Sequence, residues 1–346
     1  MEAARFETLV DSFLEHLVSG RGRSPRTAEA YRLALQRLRA FAGERDPLEL
    51  REEDLQVFCG PWLHKQGIQA LARRPYVAAV RTFYRHCAAR REIRQDPART
   101  IPYPKTGFRL PGVMTLANAE KLMWAPDFTT FMGVRDAAMI AMMAGAGLRV
   151  GGLVGLNESA IISDQVEGEP RLFLRVVEKG NKERRVPLPA EADLLVRMYL
   201  DHPELEKIDR TLADGDRVLF VSTRSRSVAA CDYRGEARRM NRRNVGLILK
   251  RYGEKAGIPG EQLHPHALRH LFGTELAEGD VDLIVRQRLM GHADAKSTRI
   301  YDHTALRRLV REVDRANPLA KMRTPVTELL AKLKAMKPPA GGGSTP

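Results

Sequence analysis

Six residues of this chain have side chains that together could break a phosphate ester. They are two arginines, a lysine, two histidines and a tyrosine: Arg149, Lys179, His266, Arg269, His292 and Tyr301. A tyrosine phenol has an ordinary pKa of about 10 and is therefore a poor nucleophile at neutral pH. Neighbouring cations favour its ionised form and the negative charge that gathers on a phosphate under attack. The six residues therefore predict phosphodiester cleavage by a protein nucleophile.

The order and spacing of these residues resemble those of the tyrosine recombinases, the family of phage-type and Xer-like site-specific integrases. The segments are HPHALRH at 264–270, LMGH at 289–292 and RIY at 299–301. They are similar to the family's His-x-x-Arg box, its later Gly-His pair and its nucleophilic tyrosine nine residues beyond that histidine. Upstream, GAGLR at 145–149 resembles the first arginine box, and EKGNK at 178–182 resembles the segment with the hairpin lysine.

The resemblance implies a role for each residue. The two arginines would bind the non-bridging phosphate oxygens, because guanidinium groups match phosphate geometry and stay charged. His266 would accept the proton of Tyr301, Lys179 would protonate the departing 5′-oxygen, and His292 would donate a hydrogen bond to the phosphate. The product would be a 3′-phosphotyrosyl intermediate. The reaction would use no metal and no cofactor.

The implied function is that of a site-specific DNA recombinase or integrase, which could serve the integration or excision of a mobile element or the resolution of chromosome dimers. The implied partner is duplex DNA, bound by a homo-tetramer on two sites or together with a related recombinase. One residue departs from the family pattern, because Gly152 stands where an acidic residue usually follows the first arginine. Two alternatives stay open: a type IB topoisomerase-like nicking-closing enzyme, and a catalytically weak DNA-binding accessory protein.

Composition agrees with a nucleic-acid partner. Lys and Arg number 57 against 43 Asp and Glu, which gives a formal net charge of +14 and a pI near 10.0. Such a charge attracts polyanions. Cys59, Cys87 and Cys231 are far apart and form no disulfide pattern, and no secretion signal is visible, so a cytoplasmic location is expected. The apolar run at 137–148 is too short to span a membrane and predicts a buried helix.

Chain length and patterning predict two domains and a mainly α fold with a small antiparallel sheet, an α+β architecture. Within residues 1–100 the pattern predicts helices that include one with Ser24 as N-cap and Pro25 at its first position, and others at 52–71 and 75–90. The resemblance implies that they form a SAM-like core-binding domain. A proline-rich linker at 101–114 precedes a catalytic domain at 115–318. Strands are expected at 161–163, 172–177, 184–188 and 218–221. A tail follows at 319–346, and its Pro/Gly/Ser-rich end is expected to be disordered.

Further basic residues are candidates for contacts with DNA phosphates. They form one group in the N-terminal module and another around a predicted helix at 243–255: Arg23, Arg26, Arg32, Arg238, Arg239, Arg242, Arg243, Lys250 and Arg251. A solvated basic face would give the same pattern. The histidines at 264, 266 and 270 could suggest a metal, but no cysteine or carboxylate accompanies them, so a capping or core role is favoured.

Overall fold

Helices dominate the described part of the chain, and a three-stranded antiparallel sheet interrupts them, which confirms the predicted fold class. The computed structural model describes residues 2–105, 112–178, 182–225, 227–291 and 303–336. The chain divides into an N-terminal unit, Met1–Arg109, and a C-terminal unit, Leu110–Pro346. The finer domain and linker boundaries given above stay predictions.

The N-terminal unit is built from helices around an aromatic and aliphatic core. Its α-helices are α1 (Glu2–Glu15), α2 (Pro25–Ala42), α3 (Glu52–Val57), α4 (Leu63–Lys65) and α5 (Ala70–Ala89). Ser24 caps α2 by accepting a hydrogen bond from the Thr27 N–H at 3.2 Å, and Pro25 occupies the first helical position, as the sequence predicted. The core includes Phe13 and Phe83, whose rings meet edge to face at 5.5 Å.

Two helix boundaries of this unit differ from the sequence prediction. The segment expected as one helix at 52–71 is interrupted by a π-helical turn, Phe58–Trp62, because Pro61 has no N–H to donate within it. The helix expected to begin at Pro75 begins at Ala70 instead. Its first turn forms from the extended residue Gln69, whose carbonyl accepts from the Arg73 N–H at 3.0 Å, and Pro75 lies inside the helix.

The C-terminal unit contains the remaining helices and the sheet. Its α-helices are α6 (Leu116–Trp124), α7 (Phe131–Gly145), α8 (Val150–Val154), α9 (Ala190–Leu200), α10 (Pro203–Glu206), α11 (Arg242–Lys255), α12 (Pro265–Glu278), α13 (Leu283–Met290), α14 (His303–Ala316) and α15 (Pro325–Met336). The strands are β1 (Ile161–Val166), β2 (Glu169–Glu178) and β3 (Lys182–Pro187), in the order β1-β2-β3.

The sheet is antiparallel throughout. Glu167 and Gly168 join β1 to β2 with positive φ values of 54° and 82°, as a two-residue hairpin turn requires. Val176 of β2 lies opposite Arg184 of β3. The strand expected at 218–221 is wrong: this stretch makes only single bridges, from Val218 to Asn157 and from Val221 to Arg239. Its buried apolar residues serve the core instead.

Helix α7 is the centre of the C-terminal unit. Residues 133–145 are all buried, as the apolar run predicted, and α9 and α12 pack against it. The rings of Phe131, Tyr199 and Phe220 stack beside it at centroid distances of 5.7 and 5.3 Å. In the described part of the chain, no helix combines the length and the apolar character needed to cross a membrane.

The C-terminal segment folds back onto its own unit. Leu319, Met322 and Val326 are buried in the core of the C-terminal unit, and α15 packs against α9. Arg323 joins this segment to α6: its carbonyl accepts from the Trp124 indole at 2.7 Å, and its N–H donates to Glu120 at 3.0 Å. Helix α15 was not predicted from the sequence.

Candidate active site

Arg149 stands at the junction between α7 and α8. The chain leaves the buried α7 through Gly147, whose φ of 60° favours glycine. A Cβ at this position would lie 2.3 Å from the ring of Phe272, so packing also requires a glycine. Arg149 follows in extended conformation as the N-cap of α8 and is exposed. The tight turn therefore places the exposed Arg149 directly after the buried helix α7.

Arg269 and His266 come from the first two turns of α12. His264 caps this helix, because its Nδ1 accepts from the Ala267 N–H at 3.1 Å, and Pro265 takes the first helical position. Burial and the charges of the two neighbouring histidines lower the pKa of His264 below its ordinary value. His266 is exposed, whereas Arg269 is only 6% exposed. The capping role favoured for this histidine fits the structure.

The two arginines converge on the end of α13. Arg269 donates to the carbonyl of Gly147, two residues before Arg149, and to the carbonyl of Met290. Both terminal nitrogens of Arg149 lie 3.4 Å from the carbonyl of Gly291. Gly291 ends α13 in the left-handed conformation, with φ 60° and ψ 53°, which glycine adopts readily at the end of a helix. Residues 120 positions apart in the chain thus meet at one turn.

The structure describes three of the six predicted residues and brings two of them, Arg149 and Arg269, together; His266 lies one turn from Arg269 on the same helix. Lys179, His292 and Tyr301 lie outside the described residues. The roles of all six residues stay predictions.

The surroundings of Gly152 are open. A Cβ built on Gly152 would have no described heavy atom within 4 Å, whereas one on Gly151 would lie 2.7 Å from the guanidinium of Arg242. Arg242 therefore packs against the main chain of α8. The space that a longer side chain at 152 would need is available.

A buried ion network supports the helix that carries several basic candidates. Asp136 is fully buried, and one of its oxygens accepts from Arg135 at 2.9 and 2.7 Å. The other accepts from Arg251 at 3.1 Å and from the Tyr252 hydroxyl at 3.0 Å. Burial, followed by the charge of Asp136, raises the pKa of Tyr252 to about 12. Arg135 also donates to the carbonyl of Val221 at 2.9 Å. This network was not predicted from the sequence, although the adjacent Arg135 and Asp136 beside an apolar run are a visible signal of it.

The candidate DNA-contacting residues divide into two groups by exposure. Arg23, Arg26, Arg32, Arg242, Arg243, Lys250 and Arg251 are exposed, and of these Arg251 also pairs with the buried Asp136. Arg239 is instead committed to the fold: it donates to the carbonyls of Val154 and Leu156 at 3.1 and 3.0 Å and pairs with Glu236. Arg238 lies over the ring of Tyr233 at 4.0 Å. The exposed group is better suited to a phosphate backbone.

Metal binding has no geometric support in the described ranges. Among those residues, no group of three or more His, Cys, Asp or Glu side chains could hold a metal ion. The three histidines at the start of α12 differ in their surroundings: the His264 side chain caps the helix, whereas His266 and His270 are exposed.

Comparison with known proteins gives the same class over both units. The model of the phage integrase family matches residues 113–308, and that of the phage integrase N-terminal SAM-like domain matches residues 10–91. The tyrosine recombinase XerD of Yersinia pestis is 33% identical over 303 residues, which cover 87% of this chain and 94% of the relative. The tyrosine recombinase XerC of Pelobacter propionicus is 33% identical over 322 residues, 92% of this chain and 97% of the relative. The enzyme class is thus that of the tyrosine site-specific recombinases, as the motifs predicted. Within that class, the chain belongs to the phage integrase family.

Solved structures share the fold. The XerH site-specific recombinase bound to a palindromic difH substrate in a post-cleavage complex aligns with a TM-score of 0.60 and 17% identity, over 91% of this chain and 81% of that one. A lambda integrase tetramer bound to a Holliday junction aligns with a TM-score of 0.59 and 17% identity, over 85% and 79% of the two chains. At this level of identity the likeness shows the fold alone.

Proposed function

We propose that the chain cleaves and rejoins duplex DNA at specific sites through a 3′-phosphotyrosyl intermediate. The observation that carries the proposal is the convergence of Arg149 and Arg269 on one turn, Met290–Gly291. Two guanidinium groups held close together match the two non-bridging oxygens of a phosphodiester. Their positive charge stabilises the extra negative charge of the pentavalent state.

In the proposed reaction, the phenolic oxygen of Tyr301 attacks phosphorus and the bond to the 5′-oxygen breaks. The tyrosine proton passes to His266, and Lys179 protonates the departing 5′-oxygen. His292 donates a hydrogen bond to the phosphate. Attack by a 5′-hydroxyl of another strand then releases the tyrosine and completes the exchange. Side chains fill every one of these roles, so the reaction needs no metal.

The proposed partner is duplex DNA, bound by four protomers on two sites or by a mixed assembly with a related recombinase. Complexes of XerH with difH and of the lambda integrase tetramer with a Holliday junction support this partner through the shared fold. The exposed arginines at the start of α11, Arg242 and Arg243, are proposed to contact phosphates. Removing such a contact should flatten the dependence of affinity on salt by about one unit of log-log slope.

The test is covalent trapping on DNA recovered from the neighbourhood of the gene. The substrate carries a nick near the cleavage site, so that the short cleaved fragment dissociates and the strand cannot be rejoined. It is incubated in EDTA with wild-type protein and with Tyr301→Phe. We expect a covalent band with wild type only. Tight specific binding without a band would contradict the proposal and favour an accessory protein. Relaxation of plasmids that carry no paired sites would favour a topoisomerase-like enzyme instead.

A further inference from the structure

Arginines from three separate elements donate to four consecutive main-chain carbonyls at the end of α13. In chain order the pairs are Arg184 with Arg288 at 3.1 Å and with Leu289 at 2.9 Å, Arg269 with Met290, and Arg149 with Gly291 at 3.4 Å. Arg184 belongs to β3, Arg269 to α12 and Arg149 to the N-cap of α8. Only the last two are among the six residues of the family motifs.

Such a row of contacts has a clear physical basis. The last carbonyls of a helix have no partner within the helix, and they carry the negative end of its dipole. Guanidinium groups suit this position, because their planar set of N–H donors can bind the free carbonyls and their permanent positive charge interacts favourably with the negative end of the dipole. The left-handed Gly291 extends the row by one carbonyl beyond Met290. The end of α13 is therefore an acceptor surface whose position fixes where the donating arginines lie.

Arg184 connects the acceptor surface at the end of α13 to strand β3 of the sheet. It is half-buried on β3, opposite Val176 of β2, and its Nη1 reaches the two carbonyls that precede the pair used by Arg269 and Arg149. We propose that Arg184 is a positioning residue: it anchors the end of α13 to the sheet and so keeps Arg149 and Arg269 in register for one phosphate. The proposal rests on the proposed function, in which these two arginines bind the scissile phosphate.

Three variants test this role. Arg184→Met removes the donors and keeps an unbranched apolar stem, and Arg184→Lys keeps a charge that can still reach a carbonyl. Arg185→Met is the matched control, because Arg185 is the next residue of β3, is exposed and pairs with Asp164 at 3.3 Å. For each, DNA affinity and the single-turnover rate of covalent complex formation at saturating nicked DNA are measured separately.

We expect Arg184→Met to lower the cleavage rate by about 100-fold, because misplacement of reacting groups by about 1 Å has this effect, while affinity changes by less than about threefold. Arg184→Lys should recover part of the rate, and Arg185→Met should stay within about twofold of wild type. An Arg184→Met rate equal to that of the control would overturn the proposal. So would an equal loss of rate in Arg184→Met and Arg184→Lys.

A second readout separates this proposal from the proposed function. Amide hydrogen exchange of residues 283–291 and 147–149 is compared between Arg184→Met and Arg185→Met by mass spectrometry. Faster exchange of both segments in Arg184→Met supports the anchoring even if wild-type protein cleaves no DNA, whereas unchanged exchange contradicts it. Failure of wild type to form the covalent band counts only against the proposed function.

Discussion

Replacing Asp136 with alanine should destabilise the C-terminal unit more than any surface substitution. Asp136 is fully buried and accepts four hydrogen bonds, two of them from Arg135, which is only 4% exposed. Without the carboxylate, Arg135 keeps the Val221 carbonyl but remains a buried cation with no counter-charge from residue 136. Breaking a buried pair in this way costs about 3–5 kcal/mol.

The control is Asp164→Ala. Asp164 pairs with Arg185 at 3.3 Å, but both side chains are more than a third exposed, at 36% and 40%. Exposed pairs contribute about 0–1 kcal/mol. The same kind of substitution should therefore have a several-fold smaller effect at this position.

The two tryptophans allow each unit to be followed separately, since Trp62 lies in the N-terminal unit and Trp124 in the C-terminal unit. Urea unfolding in a Trp62→Phe background reports on Trp124 alone. We expect Asp136→Ala to lower the free energy of unfolding by about 3–5 kcal/mol. Adding Arg135→Met should cause no further loss, because it removes the stranded charge. A loss below about 1 kcal/mol in Asp136→Ala would refute the reasoning.

Three further predictions follow from local geometry. Gly152→Ala should stabilise α8 by about 0.5–1 kcal/mol in the same unfolding assay, whereas Gly151→Ala, which meets a guanidinium at 2.7 Å, should not. At pH 8 a thiol reagent should label only the exposed Cys231 in the folded protein, because burial raises the pKa of the other two thiols to about 12; rapid labelling of all three would contradict this. Because the folded protein lowers the pKa of His264, the unfolded chain binds a proton at this residue at a higher pH than the folded protein does. The free energy of unfolding should therefore fall as the pH drops through about 6.5 toward the folded-state pKa, and it should fall less in His264→Asn.

Local sequence patterns were sufficient for much of the fold. Ser24-Pro25 signalled the start of α2, and the buried run at 137–148 signalled α7, because capping and apolar periodicity act over a few residues. The helix boundaries near Pro61 and Pro75 were wrong, because tertiary packing decides whether a proline interrupts a helix or is absorbed into it. The strand expected at 218–221 was wrong because a short apolar run fits a core loop equally well.

The candidate site was predictable only in part. The motifs that contain Arg149 and Arg269 identified both residues as candidates, although 120 positions separate them in the chain. Arg184 carried no comparable signal, because its partners are main-chain carbonyls, which every residue possesses and which leave no pattern in the sequence. The acceptor surface at the end of α13 emerges only once the chain has folded.

The contacts of Arg323 with Trp124 and Glu120 set an order of events during synthesis. They join residues 199 and 203 positions apart, so α6, which leaves the ribosome first in its unit, has to wait for a partner made roughly 200 residues later. Until Arg323 emerges, this side of the nascent unit stays uncovered. The C-terminal unit therefore completes its packing late in translation, after α12 and α13 have been made.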